Sequence, residues 1–391
     1  MLQSRSIMVT RRLAIKEKNR SHPIAVVGPT DFVYELGDEI EPEEVLRDPK
    51  FSLYCVDPKN GVVLFVECDD PLAVDQAPFY YQAQVQHAIG LVSMPVTEFH
   101  RVADEIPEPP KGLILVHSTS RCGSTLLSKV LGAISSIHSL SEPDDLTQMV
   151  HLKVAGEASD DELSRLLVSS IKWRCKPRFG APTEQVAIKT RGEVLVLADL
   201  IAASFPRAKH FFMYRDATSW MGSLFRGYSP ERDPYDKELN RKMAESWSRT
   251  IPLVREFLLE DVPINQVEIR VLAWITCMEG YLKLREIGVP TCAARFEDLT
   301  ACPIPILEQV LEFCGIEGVD WDTIHDVLGK DSQAGTVYDR EGRRLKNRQL
   351  TPELVRDVRN MVSSRPLLRE SSIVLPGTIN LALHPNADDI S

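Results

Sequence analysis

The stretch LILVHSTSRCGSTLLSKVL, from Leu113 to Leu131, changes its character twice along its length. It begins as a continuous apolar run, passes through a short polar turn, and continues with apolar residues at helical spacing, including Leu126, Leu127 and Val130. An uninterrupted apolar run is typical of a strand that is buried on both faces of a parallel sheet. A spacing of three and four residues is typical of the buried stripe of a helix. The stretch therefore predicts a buried strand, a tight turn and a helix.

The chain after residue 111 continues to alternate short apolar runs with helical segments. Strands are predicted at residues 112–117, 186–189, 210–214 and 292–295, and helices at residues 194–205, 240–258, 268–286 and 304–314. Strands that alternate with helices are typical of a parallel sheet with helices on both faces. The sequence therefore predicts an α/β fold, a three-layer sandwich around a central parallel sheet.

The chain before residue 106 has a different pattern. Two apolar runs, at residues 51–55 and 62–67, flank the segment DPKNG, whose Asn-Gly step favours a tight hairpin turn. Residues 77–89 are predicted to be helical, and Gly90 is predicted to end that helix. These elements predict a small α+β unit.

Three prolines mark a boundary in the segment DEIPEPPK, residues 104–111. They are incompatible with a continuous helix or a central strand, so the segment is predicted to be a linker. The expected organisation is a basic, mobile arm at residues 1–20, a small α+β module of unknown role at residues 21–105, and the α/β domain at residues 106–391.

The composition excludes several classes of protein. The 391 residues include 45 basic and 56 acidic ones, a net charge of −11, which disfavours broad binding to nucleic acid or to an anionic membrane. No apolar run approaches the roughly 20 residues of a membrane span, and the basic N-terminal segment lacks the apolar core of a secretory signal. The eight cysteines show no CxxC pair, which favours reduced thiols in the core, a cytoplasmic location and no structural metal.

The polar turn after the first strand of the α/β domain has the composition of an anion site. Backbone N–H groups at the start of a helix carry positive potential. Gly123 allows close approach to the backbone, Ser124 and Thr125 add hydroxyl donors, and Arg121 adds a permanent charge. The alternative is a simple capped helix with Arg121 on the surface. An ATP or GTP P-loop is disfavoured, because the pattern GxxxxGK[ST] requires a lysine where Ser124 stands.

The segment HFFMYRDATSWMGS indicates a second anion site. Arg215 directly follows a predicted buried strand, and Ser223 lies eight positions later in the predicted helix. An arginine at a strand end and a serine two turns into the next helix can converge on one dianion. The alternative for Arg215 is an ion pair with Asp216 or Asp199, and for Ser223 a position on the helix surface.

These segments resemble the cofactor-binding segments of sulfotransferases that use 3′-phosphoadenosine 5′-phosphosulfate (PAPS). HSTSRCGSTLLSKVL is similar to the family's 5′-phosphosulfate loop, HFFMYRDATSWMGS to its 3′-phosphate site, and ARFEDLT (residues 294–300) is a weaker third match. The resemblance implies the P-loop-like sulfotransferase fold for residues 106–391. It also implies the following cofactor-binding residues: Arg121, Cys122, Gly123, Ser124, Thr125, Leu126, Arg215 and Ser223.

The resemblance also suggests the catalytic groups. Cytosolic small-molecule members carry a Lys-Thr-His step whose histidine is the base, but the similar step here is Lys189-Thr190-Arg191, and arginine is not a base at neutral pH. Other branches, such as the protein-tyrosine and bacterial glycolipid sulfotransferases, use a glutamate after the phosphate-loop helix. Glu142 in SLSEPDDL resembles that glutamate. Arg121 is the candidate for stabilising the leaving oxygen.

Each of these catalytic assignments has an alternative. Glu142 could instead form a salt bridge in a loop, and His117 and His138 are rival bases because both lie near the turn in sequence. Lys189 is expected to face the sulfuryl group or the acceptor. Arg191 could hold an anionic substrate. For both Lys189 and Arg191, a purely structural ion pair is as good an interpretation as the functional one.

Two further segments could contribute to a site. The basic stretch at residues 331–348 could close over the cofactor through Arg343, Arg344 or Lys346, or it could be a solvated surface. The aromatic segment APFYYQAQ, residues 77–84, could line an acceptor pocket, or it could be ordinary packing.

Taken together, these features predict transfer of a sulfuryl group from PAPS to a hydroxyl or amine of a small-molecule acceptor. The product would be 3′-phosphoadenosine 5′-phosphate (PAP), with Glu142, Arg121 and Lys189 as the catalytic residues. No metal, nucleic acid or membrane partner is expected, and the sequence identifies neither the acceptor nor the oligomeric state. The alternatives are a nucleotide-dependent kinase or hydrolase with a degenerate P-loop, and a catalytically silent protein that binds PAP.

Overall fold

Two sheets of five strands each organise the molecule. The computed structural model describes residues 9–176, 183–227, 236–334, 336 and 350–380. Within them, residues 11–95 form an antiparallel sheet and residues 113–295 form a parallel one.

The antiparallel sheet has the strand order β2-β1-β5-β4-β3. Its strands are β1 (Arg11–Lys18), β2 (Phe32–Glu39), β3 (Phe51–Asp57), β4 (Val62–Cys68) and β5 (Ala88–Pro95). The helices of this region are α1 (Pro42–Arg47), α2 (Pro71–Asp75), α3 (Tyr80–His87) and α4 (Val96–Glu105). The predicted hairpin is confirmed, since β3 pairs with β4 across the DPKNG turn.

Two predictions for this region are wrong. Residues 11–18, expected to belong to a mobile arm, form β1, because Leu13 is buried there and Arg12 forms ion pairs with Glu44 and Glu67. The predicted helix at residues 77–89 is shorter, and Gly90 lies inside β5 rather than at a helix end. Pairing of β5 with both β1 and β4 buries its apolar side chains, and this outweighs the local helical signal.

The parallel sheet has the order β10-β9-β6-β8-β7. Its strands are β6 (Leu113–Ser118), β7 (Ile137–Ser141), β8 (Gln185–Lys189), β9 (Lys209–Tyr214) and β10 (Thr291–Arg295). Four of them match the predicted strands, whereas β7 was not predicted. Every pairing within this sheet is parallel.

Helices cover both faces of this sheet. They are α5 (Ser124–Gly132), α6 (Asp145–Ala155), α7 (Asp160–Arg174), α8 (Ala198–Ser204), α9 (Ala217–Gly227), α10 (Lys237–Trp247), α11 (Pro252–Leu259), α12 (Gln266–Glu286), α13 (Phe296–Ala301), α14 (Pro303–Cys314), α15 (Trp321–Gly329) and α16 (Pro352–Ser363). The predicted helix at residues 240–258 is two helices, because Pro252 begins α11. The predicted helix at residues 194–205 begins as a 3-10 turn, Gly192–Leu197, and continues as α8.

Strand β9 shows how the three layers are built. Phe212 and Tyr214 belong to a buried cluster with α9, α12 and α16 on one face of the sheet. Phe211 and Met213 belong to another cluster, with α5, α14 and α15, on the opposite face. Because alternate side chains of one strand supply two separate cores, the α/β sandwich predicted from the sequence is the fold observed.

The N-terminal region shares a core with the α/β region. The indole ring of Trp173 on α7 lies 4.7 Å from the Phe65 ring and 6.0 Å from the Phe99 ring, measured between ring centroids. Its Nε1 donates a hydrogen bond to the Phe99 carbonyl at 3.0 Å. The ammonium of Lys176 is also buried and donates to three backbone carbonyls of the N-terminal region. The two sheets are therefore packed together rather than merely joined by residues 106–112.

All eight cysteines are free thiols. Most are buried, as expected, but Cys302 is exposed, so the expectation of core thiols is wrong at that position.

The parallel direction of β6 to β10 determines where a site can form. The carboxyl ends of all five strands lie at the same edge of the sheet, so the loops that follow them meet there. The loops carry Arg121, Glu142, Arg191 and Arg215, and Glu297 lies in the first turn of α13 directly after β10.

Candidate active site

The turn between β6 and α5 has an unusual backbone. Ser120, Arg121 and Gly123 have φ angles of 61°, 50° and 86°, all in the left-handed region. Residues with a side chain adopt such angles at a cost in strain, and turns of this kind form concave anion sites from their N–H groups. The space at Gly123 is also tight, since an added Cβ would lie 3.1 Å from Leu299 Cδ2. The turn therefore leads into the N-terminus of α5 in a constrained conformation.

Neighbouring elements hold this turn in place. The Thr119 N–H and the Cys122 thiol both donate to the Met213 carbonyl at the end of β9, at 3.0 and 3.2 Å. The indole Nε1 of Trp220 on α9 donates to the Thr119 carbonyl at 2.7 Å. Burial raises the pKa of the Cys122 thiol, while the Lys189 ammonium lies near enough to oppose that shift. Cys122 can therefore offer a ligand its backbone N–H, but its thiol is committed to the core.

The two predicted anion segments are in direct contact. Arg121 Nε donates to Ser223 Oγ at 3.4 Å, and Arg215 Nη1 donates to the Arg121 carbonyl at 3.4 Å. Ser223 is buried and lies in α9, as the sequence predicted. Arg121 also donates to Gln333 Oε1 at 3.1 Å. Side chains from segments more than 90 positions apart thus form one cluster of polar donors.

Helix α13, which directly follows β10, supplies part of the environment of Arg215. The Arg215 guanidinium lies 4.2 Å from the centroid of the Phe296 ring, and its Nε lies 4.0 Å from Glu297 Oε1. Arg215 Nε also donates to Ser219 Oγ at 3.0 Å. Glu297 is therefore an ion-pair partner of Arg215 that was not among the predicted alternatives.

Glu297 belongs to the site although it was not among the predicted site residues. It follows β10, which pairs in parallel with β9, so the carboxyl ends of the two strands are adjacent. The signal was present in the third match, ARFEDLT, which contains Phe296 and Glu297.

Glu142 and Lys189 form a pair beside the turn. Lys189 Nζ donates to Glu142 Oε1, and the Glu142 N–H donates to the Lys189 carbonyl at 2.6 Å. The Lys189 side chain is 4% exposed and that of Glu142 is 13% exposed. Glu142 has a φ of 63°, so its backbone is strained as well. The structure therefore places the predicted base and the predicted catalytic lysine in contact with each other.

Arg191 lies on the other side of the same carboxylate. Its Nε is 3.8 Å from Glu142 Oε2 and 2.9 Å from Asp144 Oδ1. Asp144 is fully buried, and burial raises its pKa to about 7 against the opposing effect of Arg191. Sequence reasoning missed Asp144, because nothing in SLSEPDDL distinguishes its two aspartates.

The rival bases are engaged elsewhere. His117 is buried, with its Nε2 at 3.1 Å from His210 Nδ1, and burial lowers its pKa well below the ordinary value. His138 Nε2 lies 3.1 Å from Asp75 Oδ2 in the N-terminal region. Neither imidazole contacts Glu142 or the turn among the described hydrogen bonds, so Glu142 is the better placed base.

Of the two further segments, the aromatic one at residues 77–84 is described by the structure, whereas the basic residues proposed to close over the cofactor are not. In the aromatic segment, Phe79, Tyr80 and Tyr81 are buried in the core of the N-terminal region, and the centroid of the Tyr81 ring also lies 4.3 Å from the Arg191 guanidinium. Arg343, Arg344 and Lys346 lie outside the described residues.

The described residues contain neither a membrane-spanning helix nor a metal-binding cluster. No helix among them is both long enough and apolar enough to cross a membrane. No group of three or more His, Cys, Asp or Glu side chains in the same residues is arranged to hold a metal ion.

Comparison with known proteins gives weak matches in structure and none in sequence. No family model matches the chain, and no curated protein matches it. The chain is similar to the sulfotransferase of Alicyclobacillus acidocaldarius, at 13% identity and a TM-score of 0.38, over 68% of this chain and 97% of that one. It is similar to sulfotransferase STF9 of Mycobacterium avium, at 14% identity and a TM-score of 0.38, over 82% and 88% of the two chains. It is similar to mouse sulfotransferase SULT7A1 complexed with PAP, at 13% identity and a TM-score of 0.37, over 68% and 88%.

Proposed function

We propose that this chain transfers a sulfuryl group from PAPS to a hydroxyl or amine of a small acceptor molecule and releases PAP. The observation that carries the proposal is the contact between the two anion segments, in which Arg121 donates to Ser223 and Arg215 donates to the Arg121 carbonyl. Two guanidinium groups and a hydroxyl beside a helix N-terminus suit a ligand that carries separate phosphate groups. The free cysteines suit a reducing, cytoplasmic setting.

The residues present fit PAPS. The N–H groups at the start of α5, together with Arg121, would hold the 5′-phosphosulfate, and Arg215 with Ser223 would hold the 3′-phosphate. When bound, PAPS supplies a sulfuryl group that is joined to a phosphate leaving group. Ser124 stands where a triphosphate P-loop has its lysine, which disfavours ATP or GTP as the ligand.

The chemistry is assigned to residues at the ends of three strands. Glu142 would accept the proton of the acceptor while the acceptor oxygen or nitrogen forms its bond to sulfur and the bond from sulfur to the phosphate oxygen breaks. Lys189 and Arg191 lie beside the two carboxylate oxygens and orient them. Arg121 and the N-terminus of α5 would stabilise the charge that develops on the departing phosphate oxygen.

The base is tested by Glu142→Gln. The amide keeps the shape of the side chain but cannot accept the proton, so turnover is expected to fall by about 100-fold or more while PAP still binds. The measurement is transfer from radiolabelled PAPS to a panel of phenols, alcohols and amines, with PAP affinity measured by calorimetry.

A matched control is Glu184→Gln. Glu184 forms an ion pair with Lys111 at 2.7 Å, but both side chains are about half exposed and lie before the strands rather than after them. This variant is expected to keep full activity. Full activity of Glu142→Gln would show that the base assignment is wrong.

The second candidate function is a silent protein that binds PAP without transferring sulfate. Two observations favour it. Both carboxylate oxygens of Glu142 are paired with cations. Arg191 also stands at the position where the cytosolic members of the proposed family have a histidine. Tight binding of PAP without a sulfonated product from any acceptor in the panel would support this second function and contradict transfer.

A further inference from the structure

The N-terminal region reaches the carboxyl end of the parallel sheet next to Glu142. Strand β7, which leads directly to Glu142, lies at the edge of that sheet. The N-terminal region covers this edge: Ser141 Oγ donates to the Pro78 carbonyl at 2.7 Å, and His138 pairs with Asp75. The residue just before the candidate base is therefore fixed by the N-terminal region.

Arg191 connects the same region to Glu142. Its Nη1 donates to the Ile24 carbonyl at 3.2 Å, and its guanidinium lies 4.3 Å from the centroid of the Tyr81 ring. Its Nε lies between the carboxylates of Glu142 and Asp144, at 3.8 and 2.9 Å. One guanidinium thus contacts the candidate base and two parts of the N-terminal region.

Asp144 makes the second connection. Its Oδ2 accepts a hydrogen bond from the Val27 N–H at 3.0 Å, while its Oδ1 faces Arg191. The Asp144 side chain has no exposed surface, and the Arg191 side chain is 15% exposed. A buried ion pair is a weak source of stability, because the cost of desolvating both charges offsets most of their attraction. A role in fixing the geometry of the site therefore explains the Arg191–Asp144 pair better.

We propose that Arg191 and Asp144 are positioning residues that hold the Glu142 carboxylate in place, and that residues 24–27 of the N-terminal region complete this site by docking onto them. The role of Glu142 rests on the proposed function, whereas the docking of residues 24–27 does not. The N-terminal region is then part of the catalytic unit rather than an appended module. A shift of about 1 Å in a reacting group can cost on the order of 100-fold in rate, so a positioning residue can affect turnover strongly without touching substrate.

The positioning role is tested by Arg191→Met, with Arg191→Lys as the conservative variant. Release of PAP from PAPS is measured with water alone and with the acceptor panel. Arg191→Met is expected to lower kcat at least tenfold while the KM for PAPS stays within twofold, because no cofactor-binding residue is changed. Arg191→Lys keeps a cation beside Glu142 and is expected to recover part of the lost kcat.

Arg174→Met is the matched control for loss of a buried arginine. The Arg174 side chain is 4% exposed and pairs with Asp145, the neighbour of Asp144, but its described contacts do not include Glu142. This variant is expected to lose stability but to keep kcat. Equal losses of kcat in Arg191→Met and Arg174→Met, or a loss that appears only in KM, would overturn the positioning role.

The docking is tested without any substrate by hydrogen–deuterium exchange in Asp144→Ala and Asp145→Ala. Both aspartates are buried and both pair with a buried arginine, but only Asp144 accepts from Val27. Amide exchange in peptides that span residues 24–28 is expected to be about tenfold faster in Asp144→Ala than in Asp145→Ala, because only the first substitution removes the acceptor of the Val27 N–H. Equal exchange in the two variants would overturn the docking.

The two proposals fail in different ways. A wild-type protein that neither binds PAP nor releases PAP from PAPS contradicts the proposed function, and the exchange experiment still decides the docking. A wild-type protein that turns over PAPS, together with an Arg191→Met variant of unchanged kcat, contradicts only the positioning role.

Discussion

At the scale of single residues, Gly123 in the anion turn is restricted both in its backbone angle and in the space around it. It combines a φ of 86° with a Cβ position 3.1 Å from Leu299 Cδ2, so an alanine there is strained in its backbone and crowded in its side chain. Gly123→Ala is expected to cost about 1–2 kcal/mol in the free energy of unfolding and to weaken PAP binding at least tenfold, because the turn must move. Chemical denaturation and calorimetry with PAP measure the two effects.

Gly156 offers a matched control for this substitution. It has a φ of 71°, but no atom lies within 4 Å of its Cβ position, and it ends α6 away from the turn. Gly156→Ala is expected to cost a similar backbone strain and to leave PAP affinity unchanged. If both alanine variants bind PAP as the wild type does, the turn is not the anion site.

The burial of His210 predicts how the stability of the fold depends on pH. Burial lowers its pKa to about 4, below an unfolded-state value of about 6.5. As the pH falls from about 6.5 towards 4, the unfolded chain binds a proton at His210 that the folded chain excludes. The contribution of His210 to the free energy of unfolding is therefore complete above pH 6.5 and is lost as the pH falls. At pH 5 the loss from this one group is about 2 kcal/mol.

The His210 contribution is isolated by comparing His210→Gln with the wild type. The glutamine stays neutral, so the stability difference between the two proteins should shift by about 2 kcal/mol in favour of the variant between pH 7.5 and pH 5. Urea denaturation at both pH values measures it. A difference that does not change with pH would contradict the exclusion of the proton from this buried site.

At the scale of elements, the carboxyl ends of the parallel strands are held by donors from the helices. Trp220 on α9 donates to the Thr119 carbonyl, and Trp274 on α12 donates to the Arg215 carbonyl at 3.0 Å. Both indoles are buried, so they fill the core and at the same time fix the backbone of the two anion segments.

Trp220→Phe tests this dual role. The phenyl ring keeps most of the packing but leaves the Thr119 carbonyl without its indole donor. The free energy of unfolding should therefore fall by about 1–3 kcal/mol, and the affinity for PAP should fall several-fold. Trp173→Phe is the control, because that indole also donates to a backbone carbonyl, Phe99, but far from the turn in the fold. It should lose similar stability without any change in PAP affinity. Equal affinities in the two variants would contradict the role of α9 in fixing the turn.

The elements also show which parts of the fold a sequence can predict. Strands β6, β8 and β9 were predicted because they are short apolar runs that are buried almost throughout. Strand β10 was also predicted, although only Ala293 and Ala294 of its five residues are buried. Strand β7, IHSLS, was missed because its polar residues break the apolar run. Those side chains find partners only in the folded state, where Ser139 bonds to Ser128 on α5 and His138 to Asp75.

The same limit applies to the candidate site. The proximity of Arg121, Arg215 and Ser223 was predictable, because parallel strands bring their carboxyl ends to one edge. The contribution of residues 24–27 and of Asp144 was not, because it depends on how the antiparallel sheet packs against the parallel one. No local sequence pattern encodes that packing.

At the scale of the whole molecule, the N-terminal region and the α/β region act as one structural unit. They share an aromatic core around Trp173, and the N-terminal region covers the free edge of β7 beside Glu142. The chain carries a net charge of −11, yet arginines and a lysine converge at one edge of its parallel sheet. A polyanionic ligand is therefore expected to bind at this edge rather than across the surface.

Binding of PAP to the wild type and to Arg215→Met, measured by isothermal titration calorimetry, tests the central claim most directly. The wild type should bind PAP at micromolar concentration or tighter, and ATP with Mg²⁺ far more weakly. Loss of the Arg215 guanidinium should weaken PAP binding by about 10- to 100-fold. Arg207→Met, which removes an exposed arginine paired with Glu108, should bind PAP as the wild type does. No binding of PAP to the wild type, or equal binding to Arg215→Met, would contradict the account.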